Sequence, residues 1–232
     1  MAEGGRRGRG VVYIATGAAH AAAARASAAS VRRTNPGLGI VLFSDQPVAG
    51  PEFDRVAAVA APHIRSKVDY LPETPFAETL YLDTDTRVLG DLGEMFRLLE
   101  RFEMALAQRV HVPASPARSV WRHAVPSSFP QLNGGVLLYR SSPAALGFLA
   151  DWRAAYAEAG FKVDQITLRE LMWASDIRFA VLPARFNTRR YTWAHHWFTA
   201  TPRPVILHTN RYHPTKFGPV RAWLDGLTGP YR

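Results

Sequence analysis

Two aspartates separated by one residue, Asp83-Thr84-Asp85, follow the apolar run Leu80-Tyr81-Leu82. The run reads as a buried strand, and in extended backbone residues two apart point to the same side. Carboxylates that close repel each other unless a cation lies near them. At the carboxyl end of a strand they make half of a site for a hard divalent ion, which prefers oxygen ligands. The plain alternative is a polar turn with two solvated aspartates. His208 ends a second apolar run, Pro204-Val205-Ile206-Leu207-His208. An imidazole added to two carboxylates suits Mn²⁺ better than Mg²⁺, which seldom takes nitrogen. A histidine after an apolar strand is otherwise a cap or a packing residue, but strand-end logic puts this one on the same edge as Asp83 and Asp85.

Three further groups can carry chemistry. Asn133-Gly134-Gly135 enters the apolar run Val136 to Tyr139, where paired glycines allow a bulge or a close approach to a ligand. Asp164-Gln165 opens a helical stretch; capping is the default role for that Asp, and the pair can also present a carboxylate and an amide to a sugar. Tyr191, Trp193, His195, His196, Trp197 and Phe198 lie beside Arg189 and Arg190. Such rings either stack on bases or sugars or pack a loop onto the core.

The elements that must position these residues alternate between strand and helix. Strands are predicted at Val11 to Ala15, Gly39 to Phe43, Arg55 to Ala60, Leu80 to Leu82, Glu103 to Ala107 and Gly135 to Tyr139, and near 179–182 and 205–208. Helices are predicted over 18–33, 91–100, 143–159 and 164–174. This order predicts an α/β fold, an open and largely parallel sheet flanked by helices, with ligands beyond the carboxyl ends of the strands. The Gly/Arg-rich residues 1–9 predict a disordered tail, and 10–232 a single domain.

Composition narrows the classes. The 232 residues are 47% hydrophobic and 20% charged, enough apolar content for one sizeable core. The absence of cysteine excludes disulfides, thiolate nucleophiles and Cys-ligated metals. No apolar run approaches the roughly 18–20 residues of a membrane span. The basic N-terminus has no apolar stretch behind it, so a soluble, cytoplasmic protein is expected. The net charge is +9, and +7 of it falls from Ala184 onward, where eight basic residues face one acidic residue, Asp225. That asymmetry suits an anionic partner such as nucleic acid, anionic lipid or a phosphorylated small molecule.

Taken in order, F-x-x-T-L-Y-L-D-T-D-T (Phe76 to Thr86), L-N-G-G-V-L-L-Y (Leu132 to Tyr139), Asp164-Gln165, L-P-x-x-F-N (Leu182 to Asn187) and I-L-H (Ile206 to His208) resemble the GT-A glycosyltransferases. The likeness is to the family 8-like, nucleotide-diphospho-sugar transferase group, and it runs over residues 11–217. It implies a GT-A domain that transfers a hexose or pentose from a nucleotide-diphosphate donor, a UDP-sugar, with retention. Asp83, Asp85 and His208 would hold Mn²⁺, with Mg²⁺ as the alternative, and the D-x-D, Thr84 included, would also face the donor. Asn133, Gly134 and Gly135 would lie at the donor sugar, and Asp164 and Gln165 beside the anomeric carbon. Ala15, Thr16 and Asp45 fall where the family holds the nucleoside, and Lys67 matches a basic residue near the nucleotide. The family's H-x-x-G-x-x-K is altered here to H-T-N-R-Y-H-P-T-K, with no central glycine and the lysine two places late. The implied diphosphate contact is Lys216, Arg211 or both. The aromatic loop, with Tyr191, Trp193, His195 and Trp197, is expected at the acceptor, a glycan or small molecule.

Two rivals share some of these features. A sugar-phosphate nucleotidyltransferase would carry a Gly-rich basic signature after the first strand, which Gly17-Ala18-Ala19-His20 lacks. A protein binding RNA or another polyanion would use the basic tail and leave the D-x-D and Asn133-Gly134-Gly135 without a purpose, so no nucleic acid is expected. Peripheral contact with an anionic membrane stays open, and the sequence sets no oligomeric state.

Overall fold

The central sheet has seven strands in the order β3-β2-β1-β4-β7-β6-β8. They are β1 (Arg9–Ala15), β2 (Gly39–Ser44), β3 (Arg55–Ala58), β4 (Glu78–Leu82), β6 (Met104–Gln108), β7 (Leu132–Arg140) and β8 (Phe179–Leu182). The remaining strands, β5 (Thr86–Val88) and β9 (Ile206–His208), form a separate antiparallel ribbon. The structure is a computed structural model and describes residues 6–109, 119–189 and 203–209.

Side chains alternate across the sheet, as strand pleating requires. Val11, Tyr13, Leu80 and Leu82 face one core with α1 (Ala18–Thr34) and the ribbon. Val12, Tyr81 and Leu137 face the other, with α4 (Pro143–Ala159) and α5 (Gln165–Ala174). The small residues of α1 bring it close to the ribbon. Ser27 Oγ lies 2.8 Å from Thr86 Oγ1, and Ser30 Oγ accepts the Val88 N–H at 2.9 Å. Ser142 caps α4 by accepting the Ala145 N–H, with Pro143 at the first helical position. Two short α-helices remain: α2 (Lys67–Tyr70), unforeseen in the sequence, and α3 (Gly93–Phe96), which continues as a 3-10 turn over Arg97–Glu100, so the helical run ends at residue 100 as predicted but starts later and tightens partway.

The sheet is largely parallel, as expected, with β7 reversed against both β4 and β6. That reversal decides the site. The end of β4 and the start of β7 meet at one edge, Leu82 opposite Val136. Beside them, the pairing of β6 with β7 jumps from Leu106–Leu137 to Ala107–Asn133, so Gly134 and Gly135 fall in an irregularity. Two boundaries differ from expectation. Arg9 belongs to β1, and Arg6 donates to the carbonyls of Thr74 and Pro72, so the expected tail disorder does not reach these residues. Among the described residues no helix is long and apolar enough to cross a membrane.

Candidate functional site

The chain turns sharply after β4. The Asp83 N–H donates to the Gly135 carbonyl at 2.8 Å, and Thr86 Oγ1 donates to the Asp83 carbonyl at 2.8 Å. Asp83 and Asp85 therefore converge around a turn instead of lining up along extended backbone, which corrects the reason expected for their pairing. His208 does not arrive from the main sheet either. It comes on the ribbon, where it pairs with Thr86, immediately after Asp85. The outcome is the one expected. His208 Nε2 lies 3.1 Å from Asp85 Oδ1 and 3.6 Å from Asp83 Oδ2, and one donor atom from each residue falls within 4.8 Å of the others.

The second ring nitrogen fixes the first. His208 Nδ1 is 2.8 Å from Asn187 Oδ1. An amide oxygen only accepts, so Nδ1 carries a proton and Nε2 is the nitrogen turned toward the carboxylates. Two oxyanions and one imidazole nitrogen, with an outer hydrogen bond orienting the imidazole, fit a divalent cation. Gly135 is part of this arrangement. A methyl group there would overlap Asp83 Oδ2 and His208 Cε1. At Gly134 it would stand 3.2 Å from Trp152 Cη2 and 3.4 Å from Lys67 Nζ. The room these glycines make is filled by the site's own side chains.

A second group lies beside the first. Asp164 starts α5 but makes no capping bond. Its carboxylate is 3.0 Å from Lys67 Nζ and 3.6 Å from Arg65 Nε, so the capping default does not hold. Lys67, on α2, also lies 3.6 Å from Asp83 Oδ1 and donates to the Gly134 carbonyl at 3.2 Å. The buried Trp152 indole donates to the Asp164 carbonyl at 3.2 Å and pins the backbone there. Burial alone would push the Asp164 carboxyl up, but Lys67 and Arg65 outweigh it and hold the group below the usual carboxylate range. Burial likewise pulls the Lys67 ammonium down, and Asp164 and Asp83 more than reverse that. Tyr81 donates to Asp83 Oδ1 at 2.7 Å, and burial with this neighbouring charge pushes its hydroxyl well above its ordinary value.

Both groups open on one cleft of about 420 Å³, whose walls include Thr16, Lys67, Asp83, Thr84, Asp85, Asn133, Gln165 and His208. Asn133 folds back on itself, its Oδ1 accepting the Gly135 N–H at 2.8 Å. Gln165 Oε1 accepts from Arg109 Nη1 at 2.5 Å. Ala15 is buried at the end of β1, and Asp45 accepts the Gly17 N–H at 2.8 Å and lines a neighbouring depression. Tyr191, Trp193, His195, Trp197, Arg211 and Lys216 lie outside the described residues.

Four residues of the site were not foreseen. Arg65, Arg109 and His20 line the cleft, His20 Nδ1 lying 3.1 Å from Thr84 Oγ1, and Asn187 orients His208. Asn187 had a signal, since it ends the L-P-x-x-F-N motif. The two arginines had none in a chain so rich in basic residues.

No protein-family model matches the chain, and no curated protein matches it by sequence. Solved structures do match. The glycosyltransferase GlyE of Streptococcus pneumoniae aligns with 94% of this chain at 23% identity and a TM-score of 0.60, and the chain spans 60% of that protein. The galactosyltransferase LgtC, solved with donor and acceptor sugar analogues, aligns with 95% of this chain and 92% of its own, at 15% identity and a TM-score of 0.62. Mouse xyloside xylosyltransferase 1 in its apo form aligns with 87% of this chain and 97% of its own, at 15% identity and a TM-score of 0.58. At these identities the likeness is one of fold, and the fold is GT-A.

Proposed function

We propose that this GT-A chain is a metal-dependent glycosyltransferase that moves a hexose or pentose from a UDP-sugar to a glycan or small-molecule acceptor. The observation that carries the reading is that Asp83, Asp85 and His208 bring one ligand atom each within 4.8 Å of the others on the wall of the cleft. These three would hold the ion, and the nitrogen in the donor set favours Mn²⁺ over Mg²⁺. When bound, a divalent ion supplies positive charge to the diphosphate as its bond to the anomeric carbon breaks. The chain adds cations of its own around the cleft, Arg65, Lys67 and Arg189, which suit an anionic donor.

The second group bears on stereochemistry. An inverting transfer needs a base for the acceptor hydroxyl. Asp164 is poorly suited, being buried, ion-paired and held below the ordinary carboxylate range. Retention is therefore the proposed outcome. The acceptor oxygen bonds to the anomeric carbon on the face the diphosphate leaves, and the acceptor's proton passes to the departing phosphate oxygen. In this reading Asp164 and Lys67 position the site, and Gln165 and Asn133 face the sugar. Thr16 and Thr84 face the nucleotide.

A hydrolysis screen of UDP- and GDP-sugars with Mn²⁺ tests the proposal. Release of UDP from at least one sugar, abolished by EDTA, is expected. Metal-independent cleavage, or no cleavage of any nucleotide sugar, would overturn it.

A further inference from the structure

We infer that Arg109 is a positioning residue which fixes the Gln165 side chain as a hydrogen-bond donor toward the sugar. The role toward a sugar rests on the glycosyltransferase reading; the orientation of the amide does not. Arg109 Nη1 lies 2.5 Å from Gln165 Oε1 across 56 residues of sequence. A guanidinium carries only donors, so the atom it meets must be the amide oxygen. The Nε2 group is left to face other partners, and it can only donate.

The backbone holds the two residues in register for this contact. Arg109 N–H donates to the Gln131 carbonyl at 2.7 Å, and Gln131 Nε2 donates to the Gln165 carbonyl at 3.2 Å. One residue of β7's approach therefore ties the end of β6 to the start of α5. Arg109 is partly withdrawn from water, which strengthens a charge-assisted bond to a neutral oxygen. Both residues line the cleft, and Gln165 directly follows the Asp164 that Lys67 and Arg65 hold in place.

The consequence is chemical. With one lone pair of its oxygen engaged by Arg109, Gln165 is a weaker nucleophile toward the anomeric carbon, and its Nε2 is turned out as a donor. It offers N–H to a hydroxyl of the donor sugar or to the leaving oxygen.

Two readouts test this, using the full chain with Arg109→Ala, Arg109→Lys and Gln165→Leu. The first needs no activity. The side-chain amide resonances of Gln165, assigned by their loss in Gln165→Leu, should move toward the position of a free glutamine in Arg109→Ala and stay displaced in Arg109→Lys. The second is kinetic. Donor hydrolysis in Arg109→Ala should lose about 10- to 100-fold in kcat while UDP affinity stays within about twofold, since misplacing a contact group weakens the transition state more than the ground state. Low millimolar guanidinium should restore part of that rate in Arg109→Ala and none in Gln165→Leu. Amide resonances that stay put in Arg109→Ala would overturn the inference, as would a kcat loss matched by an equal loss of UDP affinity. If the resonances move but the wild-type protein cleaves no nucleotide sugar, the functional reading is what has failed, and the role toward a sugar is overturned with it.

Discussion

The two acidic groups of the site differ in what is gathered around them. Asp83 and Asp85 meet at one imidazole, His208 Nε2 lying 3.6 Å from the first and 3.1 Å from the second. Asp164 is answered within the protein by Lys67 at 3.0 Å and Arg65 at 3.6 Å. Asp83 joins the two, its Oδ1 taking the Tyr81 hydroxyl and lying near Lys67 while its Oδ2 faces His208. The contrast separates two carboxylates and an imidazole gathered as a metal ion could use them from a carboxylate matched by cations of the chain itself. Burial of a charge is tolerated where a partner is built in, as Lys67 and Arg65 are for Asp164.

The strongest way to break this comparison is to remove one charge from each side. Asp85→Asn should cut transfer by about a thousandfold, in line with the loss of a principal electrostatic element of catalysis. It should lower the melting temperature of the metal-free protein far less than a buried, unpaired charge would, because the amide keeps the size and polarity of the side chain. Lys67→Met acts on the other side and leaves Asp164 buried without its nearest partner. It should destabilise the fold by about 3–5 kcal/mol in urea unfolding. Equal stability losses in the two variants would erase the distinction.

The pH profile sharpens it further. The depressed Asp164 carboxyl contributes stability that is complete above the ordinary carboxylate range and is lost as pH falls through the lowered value. The raised Lys67 ammonium contributes stability that is complete below 10.5 and is lost as pH rises through the raised value. Wild-type stability should therefore be level across neutral pH and fall at both ends. In Lys67→Met the alkaline fall should shrink and the acid fall should reverse, since a buried carboxyl without Lys67 gains by protonation. An acid limb identical in both proteins would contradict the pairing. The smallest expected effect is at Asn187→Ala, where loss of the bond to His208 Nδ1 should weaken Mn²⁺ binding by about 10- to 100-fold with little change in melting.

Legibility in the sequence followed the same division. The Asp-Asp-His set was readable because it ends apolar runs and local spacing brings two of its members together. The route was not, since a turn after β4 and a two-stranded ribbon are consequences of tertiary pairing, and a single apolar run such as 204–208 does not say which sheet it joins. Lys67 appeared only through the resemblance, because a four-residue helix leaves no periodicity. Asp164 matched the N-cap pattern in residue type, and only the side chain's turn toward Lys67 and Arg65 distinguishes pairing from capping. Gly135 was marked as a point of close approach, but which atoms approach it depended on β7 running against β4. Arg109 met Gln165 through contacts far apart in the chain, which no local pattern encodes.

The most direct test of the central claim is calorimetric titration of UDP into the protein with Mn²⁺ and with EDTA. Without the ion, the diphosphate meets Asp83 and Asp85 unscreened. The account predicts clear binding with Mn²⁺ and at least about a tenfold loss in EDTA, which is about 1.4 kcal/mol. It further predicts that Asp85→Asn behaves in Mn²⁺ much as the wild type does in EDTA. Undiminished UDP affinity in EDTA would contradict it.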